Sequence, residues 1–332
     1  MIKPALFLPV LIGLLGLLTG ASRNQQQQSA PAQELVVRVL DVGQGDATLV
    51  SNGSSRILID GGPSPAVLGR YLDSLSLNNS TIDVVILSHQ HLDHYSGLRE
   101  LFRASRHIRV RYFFENKDPA AAVTLSILRD SILARVDRDS LVYRDTDDPC
   151  SDGRPICTIS MAGGARLHIL APRPAGGSVN NRSAAVKVIG PDSASFTMWL
   201  AGDAEHQEIE WFDSVDYDAD PGMRVSVLKA DHHGSCNGVT RRYLFLTQPQ
   251  WVIASVGARN DYGHMHAQAK TVYRSAGVPW YRTDRNGSIT IRSPGIPGGG
   301  FAIAPDRPGT DLGGVGDKVS PQRTCSRRMM AR

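Results

Sequence analysis

His89-Gln90-His91-Leu92-Asp93-His94 directly follows an apolar run, Asp83-Val84-Val85-Ile86-Leu87-Ser88. The run has the continuous hydrophobicity of a buried strand, and residues 95–102 read as the first turns of a helix. Four groups able to bind a metal therefore sit in a turn at the carboxyl end of a strand, where open α/β sheets place their sites. Imidazole with carboxylate suits zinc, manganese or iron better than magnesium or calcium. Three histidines and one aspartate within six residues exceed what one tetrahedral ion with an open position takes, so two divalent ions are expected. A merely solvated polar turn would not explain so dense a cluster behind a hydrophobic strand.

Around this stretch the composition is that of a globular protein, with 41% hydrophobic and 20% charged residues among 332. That length suits one large domain or two ordinary ones. A net charge of +4 admits an anionic substrate without marking a nucleic-acid binder. Much of the excess lies in the tail, at Lys318, Arg323, Arg327, Arg328 and Arg332. No run of aromatic residues interleaved with basic ones is present.

The chain begins as a targeting segment. Lys3 precedes an apolar stretch over residues 5–18 that is short and broken by glycines, and Thr19-Gly20-Ala21 offers small residues for cleavage. Leu18-Thr19-Gly20 would suit a lipoprotein signal, but Ala21 and Ser22 follow where that signal needs Cys. Residues 1–21 are expected to be a signal peptide directing export to the periplasm or outside the cell, with an uncleaved membrane anchor as the alternative. Residues 22–33 include four consecutive Gln and read as a disordered linker. Export agrees with Cys150 and Cys157, which flank a short polar loop that a disulfide would close in an oxidising compartment; two unpaired surface thiols are the alternative. Cys236 lies in a second His-rich motif and Cys325 in the tail, and no C-x-x-C pair supports a four-Cys zinc site.

From residue 34 the chain opens with β-rich runs at 35–41 and 47–51, an Asn52-Gly53 turn and a third run at 55–60. A helix is expected over 65–75 and a strand over 108–114. An amphipathic helix follows over 123–137, with Leu125, Ile127, Leu128, Ile132 and Leu133 on its apolar side. Short strands fill 141–170. Further strands are expected at 184–189, 195–201, 225–228, 251–255 and 288–292, with helices near 205–212 and 267–276. This order predicts two packed sheets with helices outside, in one domain over residues 34–304. The Gly-, Pro-, Asp- and Arg-rich residues 305–332 read as a disordered tail.

Other strand ends complete a two-metal centre. Asp203 closes the strand ending Leu200-Ala201-Gly202, where a carboxylate can bridge two cations about 3.5–4 Å apart; capping the next helix is its structural alternative. His232 and His233 follow another strand, and adjacent side chains diverge, so one can bind metal while the other faces substrate. His264 is a loop histidine that could simply be exposed. Arg109 and Arg111 alternate on one strand face, where a solvated sheet face is the favoured reading and a phosphate contact the alternative.

These motifs together resemble the metallo-β-lactamase superfamily, and more finely its branch in the competence DNA-uptake channel ComEC. The resemblance rests on Asp41-Val42-Gly43-Gln44-Gly45-Asp46, Ile59-Asp60-Gly61-Gly62, the HQHLDH stretch and Asn180-Asn181-Arg182-Ser183. It continues through Ala201-Gly202-Asp203, His232-His233-Gly234-Ser235, Ser255-Val256-Gly257, Asn260 with Tyr262-Gly263-His264, and Tyr281-Arg282-Thr283-Asp284 with Gly287. It implies a four-layer αβ/βα sandwich with two divalent metal ions, zinc or manganese, in a cleft along one edge. His89 and His91 would hold one ion, and Asp93 and His94 the other. Asp203 would bridge them, and His233, or less favourably His232, would complete the second ion.

Relatives often bind the first ion with a further His near Asn180; here Asn stands in that place. Asp46, Asp60, Asn180, Ser235, Asn260 and Tyr262 would bind substrate or support the site. Asp93, His232 and His264 are the catalytic candidates, with His232 or His264 as donor or leaving-group acid. The channel of the ComEC branch has no counterpart, so the expectation is a free-standing exported domain without a stable membrane span in the mature chain. Asp231 departs from the branch and its carboxylate could touch the site. The implied chemistry is phosphodiester hydrolysis by water activated between two cations. DNA cleavage is the first reading. An esterase on a cell-surface polymer or small phosphoester, like the phosphorylcholine esterases of teichoic acid, is the second. A binding module with a degraded site is the third, and the complete ligand set argues against it.

Overall fold

The computed structural model describes residues 33–119, 122–174, 177–215 and 222–309. The expected signal peptide, nearly all of the linker and residues 310–332 lie outside the described residues. In chain order the first strands are β1 (Leu35–Val39), β2 (Thr48–Asn52), β3 (Ser55–Ile59), β4 (Thr81–Ile86), β5 (Arg109–Glu115) and β6 (Val142–Asp145). Then come β7 (Ile156–Ser160), β8 (Arg166–Leu170), β9 (Ala185–Ile189), β10 (Thr197–Leu200), β11 (Val227–Lys229), β12 (Trp251–Ala254) and β13 (Trp280–Arg282). The chain finally returns to the first sheet with β14 (Ile289–Ser293) and β15 (Ala302–Pro305).

The first sheet has the order β15-β14-β1-β2-β3-β4-β5-β6 and the second β13-β12-β11-β10-β9-β8-β7. Each is mixed: β3 to β6 run parallel in the first, and β10 to β13 in the second. The parallel half of each sheet thus sends several strand ends to the same edge, and those ends carry the site.

One apolar layer lies between the sheets, and one lies outside each of them. β4 shows why its sequence is nearly all apolar. Val84 and Ile86 pack in the layer between the sheets, while Val85 packs in the layer under the outer helices; a parallel strand covered on both faces has no polar side. The helices α1 (Pro65–Ser74), α2 (Leu92–Tyr95) and α3 (Val123–Val136) accompany the first sheet. The second carries α4 (His206–Ser214), α5 (Arg241–Thr247) and α6 (Ala267–Ser275), with the short α7 (Thr283–Asn286) after β13. This is the expected αβ/βα sandwich.

Several local expectations change. The hairpin pairs Asn52 with Ser55, so its two-residue loop is Gly53-Ser54 rather than Asn52-Gly53. Only Leu125, Leu128 and Ile132 of α3 are buried; Ile127 and Leu133 are 44% and 45% exposed. Behind the metal-ligand turn, α2 has four residues and gives way to a 3₁₀ helix over Ser96–Phe102. Gly61 N donates to His94 O at 2.7 Å and Gly97 N to Gly62 O at 2.9 Å, which ties this backbone to the end of β3 in place of regular helical bonding. Asp306 N donates to Ser288 O and Arg307 N to Asn286 O, so the first residues of the expected tail lie against the fold. Cys150 and Cys157 form a disulfide. Arg109 and Arg111 are exposed, and Arg111 pairs with Asp83. Among the described residues no helix is long and apolar enough to cross a membrane.

Candidate metal centre

Loops from the carboxyl ends of β4, β10 and β11 converge. The first brings His89, His91, Asp93 and His94, the second Asp203, and the third His232 and His233. His89, His94, Asp203 and His233 are buried, while His91 and Asp93 are partly open. Three groups of ligand-type side chains cluster: Asp93/His94/Asp203/His233 and His89/His91/Asp203, which share Asp203, and Asp46/Asp60/His94, two carboxylates behind the His94 ring. His94 Nε2 lies 3.2 Å from Asp203 Oδ1, and His233 Nε2 lies 3.3 Å from Asp203 Oδ2 and 3.2 Å from Asp93 Oδ2. His89 Nε2 and His91 Nδ1 are 3.1 Å apart. Atoms bound tetrahedrally at zinc–nitrogen distances sit roughly 3.3 Å from each other, so these spacings fit ligands of shared cations. His94 Nε2, His233 Nε2 and Asp203 Oδ1 are buried without a hydrogen-bond partner in the described structure, which a cation would supply.

The opposite face of each ring is anchored. His94 Nδ1 meets Asp60 Oδ2 at 2.8 Å, and His233 Nδ1 meets Ser255 O at 2.9 Å. Both acceptors hold the proton on Nδ1 and leave Nε2 as the inward lone pair, the usual way a protein orients a histidine ligand. Asp46 lies 3.5 Å from His233 Nδ1 and 3.9 Å from His94 Nδ1, and its carboxylate pairs with the buried Lys229. Lys229 Nζ also donates to Gly202 O at 2.9 Å, just ahead of Asp203. The β1–β2 loop reaches this position because Gly45 crosses against the ligand turn; a Cβ there would lie 2.3 Å from Asp93 O. His232 and His233 both have left-handed backbone, with φ of 48° and 55°. Such strain costs about 1–3 kcal/mol per residue and persists only where the surroundings over-determine it.

Burial disfavours charge on all these groups, and at every one but His89 neighbours overrule it. His233, His94 and His232 hold the Asp203 carboxyl well below the usual range. Asp203, with Asp60 beside His94 and Asp46 beside His233, pushes both imidazoles well up. Burial and then His94 push His89 well down. Asp46 and Asp203 keep Lys229 above its ordinary value against the cost of burial.

Asn180, His232, Ser235, Tyr262 and His264 line a cleft of about 740 Å³ over the ligand groups, while Asn260 does not line it. Asn180 donates to Glu205 Oε1 at 3.0 Å and approaches His232 Nε2 at 3.5 Å. Ser235 sits against His266. Asn260 clamps the backbone of His264 on both sides, and Tyr262 stacks on the His264 ring. His264 is buried, and burial with His233, His232 and His266 around it pushes its imidazolium down to about 2. Asp231 is buried but belongs to none of these groups, and burial pushes its carboxyl well up. Lys229, Glu205 and His266 were not among the residues expected in the site. Lys229 had the one available signal, a lysine closing an apolar strand just before the histidine pair.

A profile described as the metallo-beta-lactamase superfamily matches residues 40–179. ComE operon protein 3 of Bacillus subtilis (strain 168) is 26% identical over 284 residues, covering 77% of this chain and 33% of that protein. Competence protein ComA of Neisseria gonorrhoeae is 23% identical over 282 residues, covering 80% and 33%. The chain thus spans about a third of the length of these curated relatives. The metallo-beta-lactamase fold protein YhfI of Bacillus subtilis superposes with a TM-score of 0.47 at 15% identity, over 75% of this chain and 96% of YhfI. Residues 40–179 thus match the metallo-beta-lactamase superfamily, and the two packed sheets and the order of ligand residues along the chain agree with that match.

Proposed function

We propose that this chain is a two-metal phosphodiesterase that cleaves DNA. The observation that carries the reading is the pair of ligand groups sharing Asp203 at the floor of the 740 Å³ cleft. Divalent cations there would supply a nucleophile at neutral pH and neutralise charge on the phosphoryl oxygens. His89, His91 and Asp203 would hold one, and Asp93, His94, Asp203 and His233 the other. Asp93 is the ligand with a partly open carboxylate, so it can also orient the attacking water. His232 and His264 face the cleft as candidate donors to substrate. Similarity to two competence proteins supports DNA as the polymer. One observation favours the second reading, a small phosphoester or surface polymer. No Lys or Arg is among the described residues lining the cleft, so a long polyanion gains little from its walls.

The test uses the full chain loaded with manganese or zinc, given linear double-stranded DNA, single-stranded DNA, bis(p-nitrophenyl) phosphate and choline-phosphate esters. A His89→Ala/Asp203→Ala variant serves as control. Metal-dependent DNA cleavage lost in the control is the expected result. Turnover of small diesters alone moves the assignment to the second reading, and no turnover of any ester removes both.

A further inference from the structure

Two histidines line the cleft beside the ligand groups, 5.2 Å apart between ring centroids, and their neighbours give them opposite polarity. Gly257 N donates to Gln44 Oε1 at 3.1 Å. A backbone N–H can only donate, so this contact fixes which end of the Gln44 amide is oxygen. The contact needs glycine at 257, because a Cβ would lie 2.5 Å from Gln44 N. The amide nitrogen of Gln44 then lies 3.3 Å from His264 Nδ1. An NH₂ group donates, so Nδ1 accepts and the ring proton resides on Nε2. His264 is 1% exposed, and its Nε2 is buried without a hydrogen-bond partner in the described structure. His232 is set the other way. Its Nδ1 faces Asn237 Oδ1 at 3.1 Å and the Glu205 carboxylate at 3.5 Å, so Nδ1 carries the proton. Its Nε2 lone pair then points towards Asp203 Oδ2, 3.9 Å away, with the Asn180 amide nitrogen at 3.5 Å.

We propose that Gln44 is a positioning residue that locks His264 in the Nε2–H tautomer, so that His264, and not His232, donates a hydrogen bond to a non-bridging oxygen of the bound phosphodiester. The donor role rests on the phosphodiesterase reading; the tautomer does not. Neutral His232 presents an acceptor at Nε2, and without gaining a proton it cannot take the donor's place unless it loses its bond to Asn237.

The experiment records long-range ¹⁵N–¹H spectra of the zinc-loaded full chain, labelled with ¹⁵N-histidine, at pH 8. A His264→Gln variant serves only to assign the His264 signals. The expected native spectrum shows a pyridine-type Nδ1 and a pyrrole-type Nε2 at His264. Gln44→Glu keeps an acceptor for Gly257 N–H but removes the donor to Nδ1, so the two nitrogens should exchange types. With two zinc ions still bound per chain, kcat on bis(p-nitrophenyl) phosphate should then fall roughly 100-fold, the usual effect of losing one preorganised donor, with KM little changed. The p-nitrophenolate needs no proton to leave, so that loss reads a donor to the phosphoryl oxygen and not a leaving-group acid. A native His264 protonated on Nδ1, or a Gln44→Glu protein that keeps Nε2–H, overturns the tautomer assignment. An exchanged tautomer with unchanged kcat overturns the donor role. If Gln44→Glu does not fold, the native spectrum still decides the tautomer, and Gln44→Ala, which removes the restraint, should show a mixture of tautomers and a partial loss of kcat. A native protein with the expected tautomer but no diester turnover upholds the assignment of the ring proton and removes the phosphodiesterase reading.

Discussion

Lys229 is the residue on which the buried charge of the site balances. It ends β11, is 2% exposed, and holds the Asp46 carboxylate and Gly202 O together behind the histidine ligands. Removing one partner of a buried pair strands the other charge, which costs about 3–5 kcal/mol. Lys229→Met should lower the urea unfolding free energy by that order, and adding Asp46→Asn should recover part of it. A loss below about 1 kcal/mol would mean that Asp46 finds compensation elsewhere. The sequence showed that histidines and aspartates gather at strand ends, because a polar cluster behind an apolar run has few other uses. It could not say which of His232 and His233 points inward. That choice depends on Ser255 O and Asp46, which reach His233 from other loops. Nor could it reveal the ring tautomers, which are set at His264 and His94 by Gln44 and Asp60 from distant segments, and at His232 by Asn237 in the following turn.

Strands were legible where burial on both faces leaves an apolar run in the sequence. β4 and β9 are apolar on both faces and read as strands at once. β13 (Trp280-Tyr281-Arg282) and β15, whose residues are exposed or half-buried, lack the buried apolar run that marks β10, β11 and β12, and were missed. Ile127 and Leu133 of α3 satisfied a helical apolar pattern, yet the sheet covers only the stripe of Leu125, Leu128 and Ile132. The Cys150–Cys157 disulfide joins the segment after β6 in one sheet to β7 in the other, across seven positions of sequence. Closing so short a loop restricts the unfolded chain by about 2–3 kcal/mol. Cys150→Ser/Cys157→Ser should therefore lower the unfolding free energy by about 2 kcal/mol while leaving bound metal unchanged, as read by elemental analysis, since neither cysteine lies in a ligand group. Loss of metal in that variant would tie the two sheets' alignment to this crosslink.

The domain brings its charged groups to one edge, but one buried acid lies apart from the ligand groups and sets a pH dependence for the fold as a whole. Glu208 of α4 is fully buried; one carboxyl oxygen accepts from Arg173 N at 2.8 Å, and the other has no hydrogen-bond partner in the described structure. Burial outweighs that bond and the nearby Arg182 and Arg173 charges, and pushes the carboxyl up to about 8 from an ordinary 4.5. The folded chain thus holds this proton more tightly than the unfolded chain does. Its stabilising contribution is complete below about pH 4.5, declines as pH rises, and is lost above about pH 8. Glu208→Gln keeps the shape and an acceptor for Arg173 N–H but carries no charge to bury. The variant and the native protein should have similar unfolding free energies near pH 4.5. Above pH 8 the variant should be the more stable by on the order of a few kcal/mol. Comparing the two proteins at each pH cancels the titration of every other group, metal ligands included. A difference that stays flat from pH 4.5 to 9 in paired denaturant titrations would show that Glu208 is solvated and ionised in the folded protein, with water reaching α4 from behind the second sheet.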